Sequence, residues 1–192
     1  MKQTFGEFIK RNKLFTLAQA RRSGIYPNLI AYYQKRGVLE RVGWGLYKNI
    51  SVKLTIPSQW EDLVYAVMGI PSSYICLISA LALYEMTDEI PRKHWIAIDN
   101  KRFPIKRPGV KIIRMRNMQV GQSSIKLGEI VVPIFDKERT VVDAFRYLSL
   151  EVAIKALKTY LQQGKPDFDK LHEYAKKLRV KKIIPYILSL TT

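Results

Sequence analysis

Hydrophobic and polar positions near the N-terminus predict two short helices separated by a tight turn. Thr16 is a typical N-cap residue, and Gln19 follows at the spacing of a capping box. We expect the first helix to stop at Gly24, because glycine tolerates the left-handed conformation that follows many helix ends. Pro27 suits the first turn of the second helix, which we expect to end at Gly37.

A hairpin is predicted directly after the second helix. One strand carries Leu39 and Val42, the next begins at Leu46, and a Gly-Trp-Gly segment forms the turn between them. A short helix over residues 3–11 and a brief extended segment at residues 14–15 precede this region. The order of helix, turn, helix and hairpin is that of a winged helix-turn-helix.

The remaining chain predicts a larger α+β part with a small mixed sheet. Its helical stripes and extended runs fall at residues 60–67, 78–86, 94–98, 110–115, 130–134, 138–148, 152–161, 168–178 and 183–190. The predicted fold class is α+β, an N-terminal winged helix-turn-helix followed by a mixed α/β C-terminal domain with a small sheet and C-terminal helices. The predicted limits are residues 1–50 for the DNA-binding domain, 51–58 for a linker and 59–192 for the second domain.

The charge of the chain is strongly positive and is densest in its first quarter. The sequence holds 33 Lys and Arg against 16 Asp and Glu, a net charge of +17 at pH 7. Ten of these basic residues and only two of the acidic ones lie within residues 1–50. Such a balance favours polyanionic partners, nucleic acid first and an acidic protein or membrane surface second.

The cysteine content and the hydropathy of the chain indicate in which cellular compartment it is expected. Cys76 is the only cysteine, so an intrachain disulfide is excluded, and its apolar neighbours predict a buried side chain in a reducing compartment. The first residues lack a long apolar segment, and no apolar run reaches the roughly 18–20 residues of a membrane span. We therefore expect a cytoplasmic protein with no membrane partner.

The predicted winged helix places aromatic, polar and basic side chains on one surface. Tyr26 and Asn28 lie at the end of the second helix that usually meets base edges, whereas the basic residues suit phosphates. The predicted contacts to double-stranded DNA are Arg21, Arg22, Tyr26, Asn28, Tyr32, Lys35, Arg36, Arg41, Trp44 and Lys48. Three other interpretations stay open: a merely solvated basic face, a Trp44 side chain that caps the small core, and a winged helix that binds protein.

A second basic face is predicted in the larger domain. No Asp or Glu occurs between Lys101 and Gly128, and a further basic cluster lies near the C-terminus. The residues of this face are Lys101, Arg102, Lys106, Arg107, Lys111, Arg114, Arg116, Lys176, Lys177 and Arg179. It is either a solubilising surface or an anion-binding face for flanking DNA, RNA or an acidic patch on a protein partner.

One segment suggests enzymatic chemistry. Asp99 and Lys101 follow an apolar strand in the Asp-x-Lys pattern of one large class of metal-dependent nucleases, and Glu85 or Asp88 could supply a second carboxylate. An Asp at the end of a strand is also a common turn former. Because no nucleophile–base pair, zinc ligand set or phosphate-binding loop is recognisable, we expect no catalytic residue, metal or cofactor, and keep a nuclease as the alternative.

The carboxylates around Arg139 predict a structural role for this segment, in capping a helix and forming an ion pair. Asp136 fits a helix N-cap, Glu138 lies in the first turn, and Arg139 can pair with Asp143 at i, i+4. We interpret this segment as a capping and ion-pair arrangement.

Four stretches resemble one protein family. LFTLAQARRSGI and LIAYYQKRGVLERVGWGLYKN, within residues 14–49, resemble the N-terminal winged helix of AbiEi-type antitoxins, the regulators of type IV toxin–antitoxin (abortive infection) operons. YICLISALALYEMTDEIP, residues 74–91, and IVVPIFDKERTVVDAF, residues 130–145, resemble the C-terminal domain of that family. The resemblance implies an antitoxin that binds operator repeats, represses its own operon and counters a nucleotidyltransferase-like toxin.

Overall fold

The chain is a mixed α+β protein with two small sheets and a run of C-terminal helices. A computed structural model describes residues 4–104 and 106–191. Contacts between residues divide the chain into two compact units: the first runs to Pro71 and also contains Lys126–Val131, and the second contains Ser72–Ile125 and the residues from Val132 onward. Residues 51–58, predicted as a linker, lie within the first unit by this division.

The first unit combines four helices with a three-stranded antiparallel sheet in the order β1-β3-β2. A 3-10 turn at Ser58–Trp60 precedes its last helix. The elements are α1 (Phe5–Arg11), β1 (Leu14–Thr16), α2 (Leu17–Arg22), α3 (Pro27–Lys35), β2 (Leu39–Gly43), β3 (Leu46–Asn49) and α4 (Glu61–Met68).

Local signals position α2 and α3 as the sequence predicts. The Thr16 hydroxyl accepts the Gln19 N–H at 3.2 Å, and the Gln19 side chain accepts the Thr16 N–H at 2.7 Å, which completes the predicted capping box. Gly24 has φ +78°, the conformation that ends α2. The apolar stripe of these helices packs with α1 and the strands in a core of Phe8, Phe15, Ala20, Ile25, Ile30 and Leu39.

The second unit contains most of a five-stranded mixed sheet in the order β6-β5-β4-β8-β7, with helices packed against it; the end of β7 and the start of β8 fall in Lys126–Val131 of the first unit. β5 and β6 are parallel, β4 and β5 are antiparallel, and β4 and β8 are parallel. The elements are β4 (Tyr74–Ile75), α5 (Leu77–Leu83), β5 (His94–Asp99), β6 (Val110–Met115), β7 (Gln122–Leu127), β8 (Ile130–Phe135), α6 (Lys137–Tyr147), α7 (Leu150–Gln162), α8 (Phe168–Lys177) and α9 (Ile184–Thr191).

The predicted capping and ion-pair arrangement of α6 is confirmed. The Asp136 side chain accepts the Arg139 N–H at 2.8 Å, and Arg139 Nε donates to Asp143 Oδ2 at 2.6 Å. The guanidinium also donates to the carbonyl oxygens of Asn117, at 3.0 Å, and Val120, at 2.9 Å. Arg139 and Asp143 are both buried. Burial raises the pKa of the Asp143 carboxyl, and the Arg139 charge opposes that rise.

A second polar cluster joins α6 to α8. Lys170 Nζ lies 3.1 Å from Asp136 Oδ2 and 2.9 Å from Glu138 Oε2, and the Tyr160 hydroxyl donates to Glu138 at 2.7 Å. Burial by itself would raise the pKa of Glu138, but the hydrogen bonds from Lys170 and Tyr160 bring it below its usual value. The N-terminal end of α6 is therefore fixed both by the buried contacts of Arg139 and by the contacts of Asp136 and Glu138 with Lys170 and Tyr160.

Within the described parts of the chain, none of the helices combines the length and the apolar character needed to cross a bilayer. Cys76 is buried, as its apolar neighbours predict.

Candidate nucleic-acid interface

The face of α3 opposite the core is exposed and free of carboxylates. Ile30 is buried against the core, whereas Asn28, Tyr32 and Lys35 are exposed. This is the inward and outward assignment that the helical periodicity predicts. α2 and α3 contain no Asp or Glu, and α2 ends in the exposed pair Arg21 and Arg22.

The turn between α2 and α3 brings a basic and an aromatic side chain together. Arg21 and Tyr26 line one depression of about 380 Å³, with Gly24, Ile25 and Pro27. Tyr26 is the N-cap residue of α3 and its side chain makes no capping hydrogen bond; it is 77% exposed. The side chain is therefore available to a ligand at the N-terminal end of α3.

Aromatic and basic side chains are paired at two further points of this surface. Arg36 Cζ lies 5.0 Å from the Tyr32 ring centroid, and Arg41 Cζ lies 5.7 Å from the Trp44 ring centroid. Trp44 is 74% exposed at the tip of the β2–β3 hairpin, so it does not cap the small core. Both pairs combine a cation with a stacking surface, the chemistry that binds a phosphate backbone and a base.

Lys48 has a different setting from the other predicted contact residues. It is partly buried on β3, and its Nζ lies 3.6 Å from Glu61 Oε1 at the start of α4. The other nine predicted contact residues are exposed. Lys48 therefore already has an anionic partner within the first unit.

Two residues of the second basic face, Lys111 and Arg114, make contacts inside the second unit. Lys111 Nζ lies 3.6 Å from the Trp95 ring centroid, and Arg114 Nε donates to the Asn100 carbonyl at 2.9 Å. Arg102 and Arg107 are half-buried, whereas the other members of the face are exposed. Asn117 Nδ2 donates to the Lys177 carbonyl at 3.3 Å, which brings the end of β6 to the C-terminal cluster. The Lys111–Trp95 contact was not predicted, because Trp95 carries no charge or spacing signal.

The Asp-x-Lys segment forms a turn. Asp99 Oδ1 accepts the Lys101 N–H at 2.8 Å directly after β5. Of the two candidates for a second carboxylate, Asp88 is exposed and pairs with Lys155, and Glu85 is exposed with φ +56°. Among the described residues, no group of three or more His, Cys, Asp or Glu side chains could hold a metal ion.

The helices and the turn of the first unit fit the helix-turn-helix class of DNA-binding regulators. Comparison with protein families makes this more specific: residues 7–49 match a family described as a transcriptional regulator, AbiEi antitoxin. The family that the sequence resembles is therefore confirmed over that segment, which contains α2, α3 and the hairpin. No curated protein matches the chain.

Proposed function

We propose that this protein is a transcriptional regulator whose α2, α3 and β2–β3 hairpin form a winged helix-turn-helix that binds double-stranded DNA. The observation that carries the proposal is the exposed, carboxylate-free face of α3 in a segment that matches AbiEi regulators. In this arrangement α3 enters the major groove and the hairpin with Arg41 and Trp44 approaches the adjacent backbone or minor groove.

The exposed side chains fall into two groups, those that can contact base edges and those that can contact phosphates. Asn28, in the first turn of α3, has the amide that can bind adenine bidentately, and Tyr32 lies one turn further along the exposed face. Arg21, Arg22, Lys35 and Arg36 supply charge for phosphates, which adds affinity but no sequence information. The uncapped N-terminal end of α3 adds the positive end of a helix dipole.

The biological role that we propose is that of an autorepressor and antitoxin in the cytoplasm. The matched family supports regulation and antitoxin activity in general. Repression of its own operon, and a nucleotidyltransferase-like toxin as the protein that it counters, extend this role by analogy with the family that the sequence resembles. We propose that the chain acts by binding and not by catalysis, since the Asp99 carboxylate is used in a turn.

Titration of the full chain against the DNA upstream of its own coding sequence, and against a scrambled duplex, tests DNA binding. We expect binding to both that weakens between about 50 and about 200 mM salt, with a preference for the upstream DNA. Asn28→Ala should lower the affinity for the upstream DNA by about 1–3 kcal/mol and leave the scrambled duplex unaffected.

Two lysine variants separate phosphate binding from base reading. Lys35→Ala should weaken binding to both duplexes and reduce the salt slope by about 1. The matched control is Lys158→Ala, at another exposed lysine, on α7 of the second unit, which should change neither affinity. Absence of salt-sensitive binding, or equal losses for Asn28→Ala on both duplexes, would show that α3 does not read DNA.

A further inference from the structure

The outer side of strand β6 is open. β6 is the terminal strand of the five-stranded sheet and pairs with β5 on its inner side. In the described part of the chain no strand pairs with its other side. An open strand edge presents a row of N–H and C=O groups that can pair with another extended chain.

The register with β5 identifies the backbone groups that point outward. The bonds to β5 at either end of β6 use the carbonyls of Gly109 and Met115, so odd-numbered residues face β5. The N–H and C=O groups of Ile112 and Arg114 therefore point away from the sheet. These groups match the spacing with which a neighbouring strand donates and accepts hydrogen bonds.

The side chains along this edge are basic with apolar residues between them. Lys111 and Arg114 are exposed, on opposite faces of the strand, and Ile112 and Ile113 are only half-buried. No Asp or Glu occurs from Lys101 to Gly128, so the charge of this edge is not compensated by its neighbours in the sequence. A partner strand would cover the two isoleucines and meet a positive charge on each face.

A groove with apolar and charged lining residues begins at the N-terminal end of β6. Its volume is about 500 Å³, and Ile78, Ile90, Pro91, Trp95 and Val110 form its apolar lining, with Glu89, Arg92, Lys93 and Lys111 around them. Ile90 is 90% exposed in this lining. The groove is contiguous with the open edge because Val110 and Lys111 belong to both.

We propose that β6 is a docking edge for an acidic, extended segment of a protein partner, which adds a strand to the sheet and places an apolar side chain in the groove. The backbone groups of Ile112 and Arg114 supply the pairing, Lys111 and Arg114 select acidic side chains, and the groove selects an apolar one. This interaction is separate from the DNA binding proposed for the first unit.

The observations favour a peptide over the other occupants of such a surface. A nucleic acid offers no row of alternating backbone donors and acceptors to the strand edge. A second copy of the chain would bring two basic edges together, and like charges on paired strands oppose association.

The test uses the full chain and a fluorescent ten-residue peptide that repeats Asp-Asp-Val-Val, which places acidic and apolar side chains on both faces of an extended chain. Two further peptides carry N-methyl groups, one on every odd-numbered nitrogen and the other on every even-numbered nitrogen. In an extended peptide these nitrogens lie on opposite edges, and only one edge can pair with β6. We expect one methylated peptide to bind at least about tenfold more weakly and the other to bind as the parent does. Equal binding of all three would overturn strand pairing.

Variants of the chain test the location of the peptide. The double variant Lys111→Glu with Arg114→Glu should lower the affinity for the parent peptide by more than about tenfold. The matched charge change Lys176→Glu with Lys182→Glu should lower that affinity by less than about threefold. Equal losses in the two double variants would show non-specific attraction and overturn the proposal. If either double variant fails to fold, the methylated peptides on the unchanged chain still decide.

A DNA titration of the same variants separates the two proposals. The double variant Lys111→Glu with Arg114→Glu has the same net charge as the control double variant Lys176→Glu with Lys182→Glu. The DNA affinities of these two double variants should therefore agree to within about twofold. A selective loss of DNA binding, without a difference between the methylated peptides, would make β6 a nucleic-acid surface and overturn the peptide proposal. The Asn28→Ala and Lys35→Ala experiments stand independently of this result.

Discussion

Removal of the Asp143 carboxylate is expected to be among the most destabilising single changes in the second unit. The side chains of Arg139 and Asp143 are 1% and 3% exposed, so solvent screens their 2.6 Å contact very little. Asp143→Ala leaves the guanidinium buried with the Asn117 and Val120 carbonyls and the weakly accepting Met115 sulfur as its remaining hydrogen-bond partners. Breaking a buried pair in this way costs about 3–5 kcal/mol, a large part of the stability of a typical domain.

The chain offers a matched control for this change. Lys177 and Glu173 form an ion pair with the same i, i+4 spacing on α8, but their side chains are 55% and 51% exposed. Glu173→Ala should therefore cost less than about 1 kcal/mol. Comparing the two variants isolates the effect of burial from the effect of helical spacing.

Amide hydrogen exchange measures the effect in the second unit alone. Peptides that cover α6 and α7 report the free energy of opening of that region, so the two units need not unfold together. If Asp143→Ala and Glu173→Ala change this free energy by the same small amount, the argument from burial is wrong. A double variant, Arg139→Met with Asp143→Leu, should recover part of the loss, because no unpaired charge then remains.

Three further predictions concern single positions. Gly121→Ala should lower the midpoint of thermal unfolding, because Gly121 has φ +68° and an added Cβ would lie 2.5 Å from Arg139 Cβ; an unchanged midpoint would contradict this. Because the pKa of Glu138 is lowered in the folded state, its stabilising effect is present above the unfolded value of about 4.3 and is lost as the pH falls through the lower folded value. Acid titration of unfolding should therefore be less steep in Glu138→Gln, and identical curves would count against the Lys170 contact. Thr16→Ala should destabilise the first unit by about 1 kcal/mol in exchange measurements of α2, and no change would show that the capping box adds nothing.

Elements with local signals could be predicted from the sequence. The capping box of α2, the proline at the start of α3 and the cap of α6 depend on residues within four positions of one another. The strands β5 and β8 have continuous apolar runs, and in β6 the apolar residues are interrupted by Lys111 and Arg114. β7 was missed because its sequence, Gln-Ser-Ser-Ile-Lys-Leu, is mostly polar, and β4 was missed because it has only two residues.

Contacts between distant residues could not be predicted. The Arg139–Asp143 pair follows from helical spacing, but the Asn117 and Val120 carbonyls that complete its setting lie 22 and 19 positions away. The position of β6 at the sheet edge depends on strand order, which no local pattern encodes. For the same reason the sequence indicates a basic face but does not distinguish Lys111, whose ammonium lies over the Trp95 ring, from the other exposed lysines of that face.

The inclusion of Lys126–Val131 in the first unit has a consequence for protein synthesis. Glu129 accepts hydrogen bonds from Lys13 and from the Thr55 hydroxyl, and a Cβ at position 128 would collide with the Thr55 carbonyl oxygen. The ribosome must therefore add about sixty residues after Pro71 before this unit can close. Translation adds about 5–20 residues per second, so several seconds pass between the synthesis of Pro71 and that of Lys126–Val131. A prematurely terminated chain that ends near Pro71 lacks Glu129, so translation has to pass position 131 before a complete first unit can form.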